Sequence, residues 1–173
     1  MNHEKPCVSL VGGGPGAAPE YFQFEEDFVE DNIRCIPMIV RFKLDACCIK
    51  LKLREWSQLR PAEREALATM ACENDWEVQR YRHYLEGLVW RRTGQTATSL
   101  APVVDAPWTY GKEVPEIVRT RLDETGRRIS FLQWNGLRVL QRFALIKLSA
   151  SGHEHKNFSK ALEEFNLSQT LID

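Results

Sequence analysis

Two stretches of the chain carry one pattern of apolar and polar positions. Residues 36–59 read IPMIVRFKLDACCIKLKLREWSQL and residues 114–137 read VPEIVRTRLDETGRRISFLQWNGL, at a constant offset of 78. Pro37/Pro115, Ile39/Ile117, Val40/Val118, Arg41/Arg119, Leu44/Leu122, Asp45/Asp123, Trp56/Trp134 and Leu59/Leu137 recur outright. Ile36/Val114, Lys43/Arg121, Leu51/Ile129, Leu53/Phe131 and Glu55/Gln133 recur in kind. A repeat of this length predicts one supersecondary unit used twice, packed about a pseudo-twofold axis.

Within the first copy, Ile36, Ile39, Val40, Leu44 and Cys47 take the spacing of a buried helical face, with Lys43 a lapse in it. Pro37 suits the first turn of that helix, where its missing N–H is not needed. Arg41 and Asp45, and again Arg119 and Asp123, stand four apart and are expected to pair weakly along their helices. Gly126 supplies a helix stop in the second copy. Ile49–Leu53 alternates like a strand but has no obvious strand partner, so it reads as an extended link. Ser130 and Gln133 form a capping box, which predicts a helix from about Phe131. By the repeat, a helix also starts near Leu53 with Glu55 in the role of Gln133. Residues 131–148 are apolar nearly all round and predict one long central helix. In the first copy Pro61 breaks the matching stretch and starts a new helix.

Asn74, Asp75 and Glu77 signal another helix start, with Val78, Tyr81, Tyr84/Leu85 and Leu88/Val89 on one stripe and an end at Gly94. Phe24 and Phe28 suit one face of a short helix. Phe158, Ala161, Leu162 and Phe165 predict a last helix entered near Asn157. The expectation is an all-α bundle of six or seven helices built from two pseudo-repeats. Residues 1–20, with GGGPGAAP, read as a flexible extension. Residues 21–173 read as a single helical domain with halves at about 36–94 and 114–167 and a linker at 95–113.

Composition narrows the function classes. At 173 residues one compact domain is the natural prior. A formal net charge of −1 offers no basic surplus for nucleic acid. No run of residues is long and apolar enough for a membrane span, and no signal peptide is evident. The expected location is the cytoplasm. The five cysteines include no C-x-x-C pair, and in a reducing compartment most are expected as free thiols.

Several segments together are similar to one family. They are Phe22-Gln-Phe-Glu-Glu-Asp-Phe28, Arg34-Cys-Ile-Pro-Met38, Val40-Arg-Phe-Lys-Leu-Asp45, and Ile49-Lys-Leu-Lys-Leu53 to Trp56. Further on come Phe143-Ala-Leu-Ile-Lys-Leu-Ser149, Gly152-His-Glu-His-Lys-Asn-Phe158 and Ala161-Leu-Glu-Glu-Phe-Asn-Leu167. Over roughly residues 21–167 the chain resembles the nitrate reductase-associated proteins, small accessory proteins of nitrate-assimilating bacteria. The resemblance implies a protein partner, assimilatory nitrate reductase, which itself carries a molybdenum cofactor and an iron–sulfur cluster. It brings no catalytic residue and no cofactor to this chain. Cys48 stands where the family pattern has Gly, which weakens the case for a left-handed backbone there, and His155 stands where it has Asn.

The chemical candidates are few. Cys35, Cys47, Cys48 and Cys72 are weighed as metal ligands, but Cys35 and Cys47 lie about three helical turns apart, and a site would need Cys72 and fold-back. The preferred reading is four small apolar residues in a core. His153 and His155 do not share a helical face and read as a polar loop. His83 is expected at or near the surface. Val8–Ala17 looks like the Gly-rich turn of a cofactor-binding α/β domain but is followed by helices, so it reads as a linker. Trp56 and Trp134 are expected to anchor their helices. Trp76, Trp90 and Trp108 fall outside the repeat, and any of them exposed would mark a docking surface. The reading is a non-enzymatic accessory protein. The alternative is a small-ligand or metallocofactor carrier using the inter-repeat interface and the thiols. An enzyme built on the Gly-rich segment ranks last.

Overall fold

The computed structural model describes residues 20–25, 35–103, 105–109, 113–150 and 155–167. The described chain is mostly helical, with eight α-helices, one short 3-10 turn and one two-stranded ribbon. Its contacts fall into two compact units. One holds residues 20–21 and 35–106, the other residues 22–25 and 107–167.

In the first unit Pro37 is the N-cap of α1 (Met38–Ala46), and Arg41 Nε donates to Ile36 O at 2.9 Å to secure that entry. The helix turns Met38, Val40, Lys43, Leu44 and Ala46 inward. Cys48 closes it with φ 53, the left-handed region, as Gly126 does in the second unit with φ 67. The expectation that Cys48 relaxes this requirement is therefore overturned. The chain reverses there, and Cys48 bears a strain of about 1–2 kcal/mol that glycine would avoid.

The next segment also departs from expectation. Ile49–Lys50 is a strand, β1, and its partner is β2 (Thr98–Ser99), antiparallel with Ile49 opposite Ser99. The partner lies in the stretch read as a linker, far along the sequence, where local pattern gives no pairing signal. Then α2 (Leu53–Ser57) starts where the repeat predicts, with Lys52 N–H donating to Glu55 Oε2 at 2.7 Å. Pro61 opens α3 (Pro61–Thr69), and Glu63 Oε2 accepts from Arg60 N–H at 2.8 Å. The long helix α4 (Asp75–Thr93) is capped by Asn74 and stopped by left-handed Gly94. α4 packs against α2 and α3, and α1 against α3. Arg92 grips Glu63 with Nε and Nη2 at 2.5–3.2 Å, locking α4 to α3. This pair holds the Glu63 carboxyl below the usual range. Arg82 donates to Cys47 O and Ser99 Oγ, tying α4 to the ribbon.

In the second unit Pro115 caps α5 (Glu116–Glu124), and Ser130 and Gln133 form the expected capping box on α6 (Phe131–Gly136). The single long helix expected over 131–148 is not formed. Leu137 is extended (φ −71, ψ 146), and α7 (Val139–Ala150) starts afresh with Arg138 N–H donating to Gln141 Oε1 at 2.9 Å. The break matches the one at Arg60–Glu63 at the same offset of 78. α7 is buried on most sides and contacts α5 and α8 (His155–Glu164). Phe131 and Leu132, predicted for the centre, lie outside at 46% and 81% exposure. Trp108, from the supposed linker, is buried edge-on against Phe143 with centroids 5.0 Å apart. Glu164 accepts the Gln23 and Phe24 N–H groups at 3.0 and 3.1 Å, pinning the 3-10 turn (Gln23–Glu25) to α8 beside Phe165.

Candidate functional site

α4 owes its nineteen residues to its ends. Asn74 accepts from Glu77 N–H at 3.0 Å, and Glu77 Oε2 accepts from Glu73 N–H at 2.8 Å. Val78, Tyr81, Leu85, Leu88 and Val89 form its buried stripe. At about 100° per residue, Trp76, Arg80, His83, Gly87 and Trp90 fall on the opposite side, within a band about 80° wide. Trp76 is 66% exposed and Trp90 59%. Their separation of fourteen residues places them about 21 Å apart along the axis. Arg80 lies over the Trp76 ring at 5.3 Å. Arg91 folds back over Gly87, with Nη1 3.1 Å from where a Cβ would stand. His83 is exposed, and its Nδ1 is 2.8 Å from Gln79 O.

Behind that face lies a buried group that the sequence left scattered. Lys43, the lapse in the α1 pattern, points inward and donates to Ala68 O at 2.5 Å and Met70 O at 2.7 Å. A cation at the C-terminus of α3 satisfies carbonyls the helix itself cannot and complements its dipole. Burial lowers the Lys43 pKa. Arg121, its counterpart at the offset of 78, is also buried and donates to Ser149 O near the end of α7. The repeated basic residue is the signal that could have found this role from sequence.

Tyr81 lies 6.0 Å below the Lys43 ammonium and interacts electrostatically with Cys47 and Cys72. The fold thus brings Cys47 and Cys72 into one neighbourhood. Burial pushes both thiols up to about 12, so at neutral pH neither is an activated thiolate. Cys35 is half-buried, and Cys48 is disulfide-bonded. Among the described residues, no three His, Cys, Asp or Glu side chains are grouped to hold a metal ion.

The repeat-paired residues serve the framework. Trp56 and Trp134 are fully buried, with the Arg64 guanidinium 5.5 Å from the Trp56 ring. Pro37 and Pro115 cap helices. Arg119 and Asp123 are exposed, and among the described residues neither enters an ion pair. Unsatisfied buried donors persist at Trp108 Nε1, Trp134 Nε1 and Arg142 Nε. A hollow of about 330 Å³ beside α5 is lined by Glu116, Ile117, Thr120, Arg121, Glu124 and Ser149, a mixed-charge set without preference for one ligand sign. His153 and the Gly-rich Val8–Ala17 lie outside the described residues, and α8 begins at His155, two residues before the expected Asn157.

These features define a mostly helical protein whose most distinctive outward chemistry is an aromatic and cationic helix face. The chain belongs to the family of conserved nitrate reductase-associated proteins, whose profile matches residues 21–165. No curated protein and no solved structure matches it. Among the described residues no helix is long and apolar enough to cross a membrane.

Proposed function

We propose that this protein is a non-enzymatic accessory protein that supports the assembly, maturation or activity of assimilatory nitrate reductase in the cytoplasm. The observation that carries the reading is membership, over residues 21–165, of a family named for association with that enzyme. The use of polar groups agrees with it. Lys43, Glu55, Glu63, Arg82, Arg92 and Glu164 hydrogen-bond helix ends or neighbouring elements. The two helical halves are read as one duplicated unit. The same local devices recur at an offset of 78: a proline N-cap, a left-handed stop, a Glu or Gln capping partner and a buried tryptophan.

The test is a strain lacking this gene, complemented or not, assayed for nitrate reductase activity and for molybdenum bound to the enzyme. Reduced activity that the full chain restores is expected. Normal activity and normal molybdenum content in the deletion strain refute the reading. The alternative of a metallocofactor carrier using the thiols draws less support, because among the described residues no third His, Cys, Asp or Glu side chain is grouped with Cys47 and Cys72 to hold a metal ion.

A further inference from the structure

Exposed tryptophan is costly surface, and α4 presents two of them on one face while its other side fills a core. The charge on that face is equally specific. Arg82, on one flank, is committed to Glu86, and Arg92, in line with the core side at the end of the helix, to Glu63. Among the described residues, Arg80 on the outer stripe and Arg91 at its edge enter no ion pair, although the chain as a whole carries a net charge of −1. Of the α4 carboxylates, Glu77 accepts the Glu73 N–H and Glu86 pairs with Arg82, while exposed Asp75 stands beside Trp76 at the N-terminal end. Gly87 gives the centre of the stripe no side chain of its own, and the Arg91 guanidinium lies over it, Nη1 being 3.1 Å from where a Cβ would stand.

We propose that the outer face of α4 is a docking surface for an acidic segment of a partner protein. Trp76 and Trp90 anchor its two ends, and Arg80 and Arg91 meet its carboxylates between them. Trp and Arg at such spacing are the residue types that dominate protein interfaces. Two tryptophans about 21 Å apart are too distant to stack successive bases, and two free arginines are too few to follow a phosphate backbone. Two copies of the same face would oppose their own positive charge across a twofold contact. The proposal does not require that the partner be nitrate reductase. A different acidic partner would leave it standing while removing the function proposed above.

The experiment places a photo-crosslinker mid-stripe (His83→p-benzoylphenylalanine) in the full chain, expressed in its own host. The crosslinked residues are identified by mass spectrometry, with the same crosslinker at exposed Glu65 on α3 as control. The expected adduct is one reproducible protein segment rich in Asp and Glu, absent from the control. Its yield should fall more than tenfold with Arg80→Glu and Arg91→Glu together, and similarly with Trp76→Ala. A circular-dichroism melt verifies that each variant is folded, and Trp90→Ala stands in for any that is not. An adduct to nucleic acid, to a second copy of this chain or to a neutral or basic segment overturns the proposal. So does no adduct above control, or yields unchanged in folded variants.

Discussion

Gly87→Ala isolates one term in the energetics of α4. Gly87 sits in the interior of a nineteen-residue helix, where glycine is about 1 kcal/mol worse than alanine because it gives up more backbone freedom on folding. The added Cβ meets Arg91 Nη1 at 3.1 Å and Arg91 Cζ at 3.9 Å. Both atoms end a flexible, solvent-facing side chain, which moves aside at little cost. The expected result is therefore a stabilisation of about 0.5–1 kcal/mol, read from urea unfolding followed by helical circular dichroism. Gly94→Ala supplies the contrast. A Cβ there meets nothing within 4 Å, yet the residue has φ 68, and an L side chain in that region costs about 1 kcal/mol or more. Open space with the wrong backbone should destabilise, and a crowded site with the right backbone should stabilise. If Gly87→Ala lowers stability by more than about 0.5 kcal/mol, something other than the Arg91 tip occupies that slot and the reasoning fails. The same substitution should weaken capture of the acidic segment, since the methyl displaces the Arg91 guanidinium from its place over the helix.

Further expectations follow from burial. Trp134→Ala should cost about 3–5 kcal/mol by opening a cavity in the second unit, whereas Trp76→Ala should stay within about 0.5 kcal/mol; equal losses in urea melts would contradict the exposures described. Iodoacetamide at about pH 8 should label Cys35 well before Cys47 and Cys72 in the native protein, and all three alike in denaturant; equal native rates would show that the thiols are not enclosed. Because the Cys47 and Cys72 pKa values rise from 9.0 to about 12 on folding, the native state holds protons that the unfolded chain has lost. Their stabilisation is complete below pH 9 and fades as pH climbs toward 12, while Lys43, lowered from 10.5, works in the opposite sense. Cys47→Ala with Cys72→Ala should flatten the alkaline loss of stability, and a slope as steep as that of the parent chain would refute the linkage.

Several elements were legible because their signals are local. Ser130 with Gln133, Lys52 with Glu55, Asn74 before α4 and Gly94 after it each decide a helix end within three or four residues of chain, and the structure places helix ends at those positions. The break between α6 and α7 was legible too, had the repeat been followed past Leu137. Arg60/Arg138 and Glu63/Gln141 continue it and cap the third helix in each copy. The pairing of Ile49–Lys50 with Thr98–Ser99 was not legible, because nothing within either dipeptide names the other.

The sequence by itself determined the helical class, most helix boundaries and the family, since capping, periodicity and turn chemistry act between neighbours. Tertiary structure alone decided what each ambiguous side chain does. Lys43 looks like a flaw in an apolar stripe until the end of α3 arrives to accept its protons. Trp76, Trp90 and Trp108 are one residue type, yet two face solvent and one fills a core. The reason is physical: an indole or an ammonium has the same intrinsic preference everywhere. Only the distant residues that do or do not pack against it fix whether it supports the fold or remains available to a partner.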